Sequence, residues 1–129
     1  MKEFKLYKCN ICGNLFYTVE DSGVVPLCCG QDMEEIYPNT VDAAQEKHVP
    51  VIDRCGNDVL VNVGSDNHPM TDKHYIEWIV LVTDSGMHVK ELNPEDSPRA
   101  FFRLCLEEKI EAAYAYCNIH GLWKKEISK

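Results

Sequence analysis

Seven cysteines stand in this 129-residue chain, and four of them fall within its first 29 positions, as Cys9-Asn10-Ile11-Cys12-Gly13 and Cys28-Cys29-Gly30. A leading segment of 37 residues this thin in apolar side chains cannot close a core by burial alone, and domains so small need a metal or another staple. The odd total argues against a pure disulfide framework. The run Met1-Lys2-Glu3-Phe4-Lys5 carries no apolar signal-peptide region, so the chain is expected in the cytoplasm, where thiols stay reduced and clustered cysteines suggest metal or redox chemistry. Two thiolates three positions apart close on one ion around a tight turn, and the glycine after each pair admits a positive φ there. The adjacent pair Cys28-Cys29 requires an irregular backbone, because neighbouring side chains diverge in regular structure. Four thiolates make a closed tetrahedral site, suited to zinc or to iron cycling by one electron.

The remainder reads as β. Pro38-Asn39 marks a boundary, giving expected domains 1–37 and 38–129, and Thr40 to Gln45 suits a short helical turn. Val59, Val61 and Val63 alternate onto one face of a strand. Ile76, Trp78, Val80 and Val82 do the same on a longer one, as a core-facing stripe with Tyr75, Ile79 and Leu81 opposite. Strands over Met87–Leu92, Ala100–Leu106 and Ile110–Cys117, with turns at Gly56-Asn57 and Asp84-Ser85-Gly86, point to an all-β sandwich or barrel. A net charge of −8 argues against nucleic acid or an anionic membrane as the main partner. The longest apolar stretch, Ile79 to Val82, is far too short to span a bilayer.

Four of the five histidines keep suggestive company: Glu46-Lys47-His48-Val49-Pro50, His68-Pro69-Met70, His74-Tyr75-Ile76-Glu77-Trp78 and Cys117-Asn118-Ile119-His120-Gly121. Singly each is an ordinary surface or core histidine. Cys117 and His120 form the stronger signal, since one turn can deliver both to one ion.

Together with the cysteine pairs, the stretches CNICGN, CCG, NTVDAAQEKHVPVI, HPM, KHYIEW and CNIHGLW resemble desulfoferrodoxin, the two-iron class of superoxide reductase, along nearly the whole chain. The resemblance is weakest between Asn93 and Ala115. It implies a desulforedoxin-like N-terminal domain, an immunoglobulin-like β-sandwich carrying the active site, and a homodimer. It places Cys9, Cys12, Cys28 and Cys29 on the ligands of a four-thiolate iron. His48, His68, His74 and His120 fall on the equatorial imidazole ligands of a catalytic iron, and Cys117 on its axial thiolate. Glu46 and Lys47 match the family's mobile active-site pair.

The implied activity is one-electron reduction of superoxide to hydrogen peroxide, fed by a rubredoxin-like electron donor. Neutral imidazoles would keep ferrous iron accessible, and a thiolate opposite the open position would push electron density toward the substrate. Lys47 would attract the anionic substrate, and Glu46 is an oxygen ligand of suitable length for the ferric ion. Two other readings stand beside this one: a zinc-ribbon binding module with a structural histidine cluster, and a pure electron carrier. Cys55 and Cys105 read as incidental or packed thiols, His88 as exposed, Tyr114 and Tyr116 as packing residues, and Trp123 as packing near the second site.

Overall fold

The computed structural model describes residues 4–127; Met1, Lys2 and Glu3 of the leading run lie outside them. The chain forms two compact units, residues 1–37 and 38–129. In the first, β1 (Leu6–Lys8) is the centre of a three-stranded antiparallel sheet between β2 (Leu15–Tyr17) and β5 (Glu34–Ile36), while β3 (Leu27–Cys28) and β4 (Gln31–Asp32) form a small hairpin. One buried cluster is Tyr7, Cys9 and Met33, with Cys28 packed against it, and Phe4 and Leu6 are buried as well. A core that contains two of the cysteines it is meant to support is too small to hold the unit closed unaided.

The second unit is a sandwich of two antiparallel sheets. A short helix, α1 (Gln45–His48), leads into β6 (Pro50–Cys55) and β7 (Asp58–Val63), which pair with β10 (Arg99–Arg103) in the order β10-β7-β6. The facing sheet has the order β12-β11-β8-β9, from β8 (Ile76–Thr83), β9 (Gly86–Glu91), β11 (Ile110–Cys117) and β12 (Gly121–Glu126). Alternation sets the inner faces. Val59, Val61 and Val63 of β7, with Ala100 and Phe102 of β10, meet Ile79 and Leu81 of β8 and the row Ala113, Ala115, Cys117 of β11. The Cys117 thiol is the last member of an inward-facing row, so the packing that builds the core also delivers the sulfur to one end of the sandwich. Each fully buried aliphatic side chain contributes roughly 1.5–3 kcal/mol.

Three expectations are corrected. Helix occurs at Gln45–His48 instead of over Thr40 to Gln45. On β8 the core side belongs to Ile79 and Leu81, whereas Trp78 lies half-buried and stacks on Tyr116 at 5.2 Å. The pairing steps from Trp78↔Tyr116 to Ile76↔Cys117, leaving Glu77 as a bulge, and this extra residue returns Ile76 to the core face. Cys105 is exposed beyond the end of β10, not packed in a strand, and Cys55 is exposed too. His88, about one-third exposed, pairs with Glu108 at 2.9 Å. No helix among the described residues is long and apolar enough to cross a membrane.

Candidate metal centres

In the first unit, the Sγ atoms of Cys9, Cys12, Cys28 and Cys29 lie within 4.8 Å of one another. Cys9 ends the strand side of a tight turn: Gly13 N–H donates to the Cys9 carbonyl at 2.9 Å, Cys12 N–H points at Cys9 Sγ at 3.4 Å, and Gly13 takes φ +82°. The second cysteine pair owes its geometry to the β3–β4 hairpin. Cys28 pairs with Gln31, so Cys29 and Gly30 are its two-residue loop, with φ +53° and +75°, the sign pattern of a type I′ turn. The left-handed Cys29 turns its side chain back beside that of Cys28, which an extended backbone would have sent to the opposite face.

Sulfur separations of 3.7 Å (Cys12 to Cys28) and 4.0 Å (Cys28 to Cys29) suit one ion. Metal–sulfur bonds of about 2.3 Å give a tetrahedron edge of about 3.8 Å. Backbone N–H groups of Cys12 and Ile11 pull the Cys9 thiol down to about 6, while the sulfurs of Cys12, Cys9 and Cys28 push Cys29 up to about 12. Four thiolates so close ionise together only around a cation.

The second cluster gathers at one end of the sandwich. His48 is the last residue of α1, His68 and His74 lie in the loop between β7 and β8, Cys117 ends β11, and His120 sits in the turn before β12. Donor atoms of His48, His74, Cys117 and His120 lie within 4.8 Å of one another, and the buried His68 adjoins them. The four rings run round a square. Centroid separations are 4.7 Å (His48 to His68), 4.6 Å (His68 to His74), 5.2 Å (His74 to His120) and 4.9 Å (His120 to His48), each pair crossed at 75–83°. His48 and His74 stand 6.4 Å apart, as a diagonal must.

Hydrogen bonds fix which nitrogen faces inward. His48 Nδ1 donates to the Ala44 carbonyl at 2.7 Å and His68 Nδ1 to the Pro69 carbonyl at 2.6 Å, leaving both Nε2 lone pairs free. The buried Nε2 atoms of His68 and His74 have no protein partner. His120 turns the other nitrogen inward, its Nδ1 lying 3.1 Å from His48 Nε2. Adjacent ligands at a right angle with bonds of about 2.1 Å stand about 3.0 Å apart. Burial lowers the pKa of His48 and His74 and takes His68 down to about 4, which keeps these imidazoles neutral and able to donate a lone pair. Burial raises the Cys117 thiol, opposed by the N–H groups of His120 and Ile119 directed at its sulfur. Unpartnered buried nitrogens and a buried thiol in one pocket cost free energy unless a cation joins them. The donors fit a metal.

Glu46 and Lys47 are exposed on the helical turn beside His48. That turn rests on Gly64: a Cβ there would lie 2.7 Å from the Glu46 carbonyl oxygen and 2.9 Å from that of Val49. Asp66 N–H donates to the Glu46 carbonyl at 2.8 Å, tying the His48 and His68 segments together. Trp123, fully buried, stacks on His48 at 4.7 Å and donates from Nε1 to the His120 carbonyl at 3.1 Å.

Sequence reasoning missed Gly64 and Asn118. For Asn118 a signal existed: Cys-Asn-Ile-Cys-Gly at 9–13 recurs as Cys-Asn-Ile-His-Gly at 117–121. The two turns share their geometry, for His120 N–H points at Cys117 Sγ at 3.4 Å and Gly121 takes φ +76°.

Comparison with known proteins covers both units. The family model described as desulfoferrodoxin matches residues 40–126, and the one described as desulfoferrodoxin, N-terminal domain, matches residues 1–36. A desulfoferrodoxin homolog of Archaeoglobus fulgidus is 48% identical over 120 residues, spanning 93% of this chain and 94% of its own. A desulfoferrodoxin of Nitratidesulfovibrio vulgaris is 44% identical over 124 residues, with 96% and 97% covered. Among solved structures, the superoxide reductase from Treponema pallidum superposes with a TM-score of 0.83 at 35% identity, covering 97% of this chain and all of its own (100%).

Proposed function

The chain belongs to the desulfoferrodoxin family, and from that premise we propose that it is a superoxide reductase whose reaction takes place at the histidine–cysteine cluster of residues 38–129. Its cofactors are two mononuclear iron ions per chain. Cys9, Cys12, Cys28 and Cys29 would hold one, and His48, His68, His74, His120 and Cys117 the other. The observation that carries this reading is the square of four inward-facing imidazoles with a buried thiol at the end of the core row.

The overall change is superoxide plus one electron plus two protons giving hydrogen peroxide. When held by His48, His68, His74, His120 and Cys117, a ferrous ion would supply that electron. The protein's residues set the conditions for that step. Imidazole ligands would add no charge to the centre and so favour the lower oxidation state. The Cys117 sulfur, met by two backbone N–H groups and sealed in the core, would give the ion a thiolate ligand that raises its electron density. Lys47, exposed one residue before His48, places a cation beside the cluster and draws in an anion against the chain's net charge of −8. Its Nζ also orients water that delivers protons to the departing product. Glu46 lies on the same turn, exposed beside His48, where its carboxylate would serve as an oxygen ligand for the ferric ion.

A carrier must restore the electron, and a rubredoxin-like one-electron donor suits the exposed Cys12 and Cys29 of the first centre. Seven free thiols fit a reducing compartment, so we place the protein in the cytoplasm. A homodimer rests on the family resemblance.

The test is a visible spectrum of anaerobically reduced, iron-quantified protein before and after a superoxide pulse. A second thiolate-to-iron(III) charge-transfer band, with peroxide formed and no oxygen evolved, is the expected result. A silent spectrum from protein that holds zinc in place of iron would overturn the reading.

A further inference from the structure

We infer that Asn118 is a positioning residue for the second centre, its carboxamide clamping the two peptide groups that flank His74 and locking that histidine to the Cys117–His120 turn. The geometry is bidentate. Asn118 Oδ1 accepts the Tyr75 N–H at 3.0 Å, and Asn118 Nδ2 donates to the Lys73 carbonyl at 2.9 Å. The Asn118 backbone N–H adds a third bond, to the Tyr75 carbonyl at 3.2 Å.

His74 needs this hold more than its neighbours do. The rings of His48 and His68 are aimed by Nδ1–H bonds to backbone carbonyls, and among the described residues the ring of His74 has no such bond. His74 is also less buried than either. Its own loop closes on itself only locally: His74 N–H donates to the Thr71 carbonyl at 3.2 Å and Thr71 N–H to the His74 carbonyl at 2.9 Å. That small turn fixes the shape of the loop; its placement against β11 rests on the Ile76↔Cys117 pairing at the start of β8 and on the bonds from Asn118. Where His74 Nε2 falls relative to Cys117 Sγ is therefore set by its backbone, and beside the β8–β11 ladder the Asn118 side chain holds the two peptides next to His74 directly to the turn carrying the sulfur. Partners that orient a ligand in this way change metal affinity by about 10–100-fold when removed.

The inference rests on the ligand reading above, and the experiment separates the two. Iron-loaded full-length protein is challenged with a chelator, and release is followed at each centre by its own charge-transfer band, the four-thiolate centre serving as internal reference. Asn118→Ala is expected to speed release from the second centre by about tenfold, the lower end of that range because the clamp is exposed, with the first centre unchanged. Asn118→Asp keeps the acceptor for Tyr75 but sets a carboxylate oxygen against the Lys73 carbonyl in place of the donor, so its release should also be faster than wild type. If the alanine variant does not fold, the aspartate variant carries the decision: faster release at the second centre alone supports the clamp, and an unchanged rate overturns it. Val59→Ala, in the core away from the site, separates positioning from general loosening. It should leave release unchanged, and acceleration equal to that of Asn118→Ala would overturn the inference. His74→Ala is the reference for the ligand reading: wild-type iron retention there would remove that reading and the clamp with it. Loss of iron in His74→Ala with unchanged release in Asn118→Ala would overturn the clamp alone.

Discussion

The two donor clusters start from the same five-residue turn and end as different instruments. Cys9-Asn10-Ile11-Cys12-Gly13 and Cys117-Asn118-Ile119-His120-Gly121 both direct the N–H of the fourth residue at the first sulfur, at 3.4 Å in each, and both close on a left-handed glycine. What differs is the surroundings. The first turn faces a second turn, the Cys29-Gly30 loop of a two-stranded hairpin, and packs with the small cluster of Tyr7, Cys9 and Met33. The second turn joins the end strand pair of a sandwich whose core includes Cys117 itself, and its partners arrive from α1 and from the β7–β8 loop. A turn alone thus makes half a metal site. A second turn completes it as a closed thiolate cage; a folded domain completes it as a set of aimed imidazoles with a buried sulfur.

Metal removal should break the symmetry most. The first unit is expected to lose its fold on chelation, since structural thiolate sites supply on the order of 10 kcal/mol to small domains, while the second keeps its strands. Hydrogen exchange at Tyr7 and Met33 against Val61 and Ala113 reads this directly, and equal loss of protection in both units would end the comparison.

Next in size is a pair of glycine substitutions. Gly64→Ala drives a methyl group into the Glu46 and Val49 carbonyl oxygens and should cost about 1–3 kcal/mol, with the His48 turn displaced. Gly13→Ala meets nothing within 4 Å and carries only the conformational cost of its φ of +82°, about 1–2 kcal/mol. Denaturant unfolding gives both numbers. Site-resolved spectra should change at the second centre for Gly64→Ala and at the first for Gly13→Ala.

Lys47→Ala sharpens the functional side. Superoxide capture is expected to slow by roughly tenfold at low ionic strength, with the difference shrinking as salt rises. Stopped-flow rates across a salt series test this, and a slope equal to that of the wild type would count against steering.

The smallest effect on either centre belongs to Glu108→Gln. Glu108, at the β9 side of the sandwich, accepts from His88 and Thr83, and these hydrogen bonds take its pKa from 4.5 to about 2. A carboxyl depressed in the folded state contributes stability that is present above the unfolded value and lost as pH falls through the folded one. Thermal midpoints should therefore fall between pH 4.5 and 2 in the wild type by more than in Glu108→Gln, with both metal spectra at neutral pH unaltered.

The sequence by itself determined whatever is local. Donors three residues apart on a turn, a glycine behind them, and a left-handed hairpin loop at Cys29-Gly30 need no distant contact, so the cage of the first unit was readable almost whole. Valine alternation in β7 was readable for the same reason: the period of a strand is a property of its backbone. Tertiary structure decided what depends on register between strands. The bulge at Glu77 exchanged the two faces of β8 and moved Trp78 off the core, an event no single-strand pattern encodes. His48, His68 and His74 meet Cys117 only because two sheets stack and their end loops converge. The supports of that meeting, Gly64 under the His48 turn and Asn118 around His74, are ordinary residues until the chain brings a carbonyl to 2.7 Å from where a Cβ would stand on one and two peptide groups to within 3.0 Å of the other. Spacing along a chain can specify a turn, but the distance between turns is set by packing.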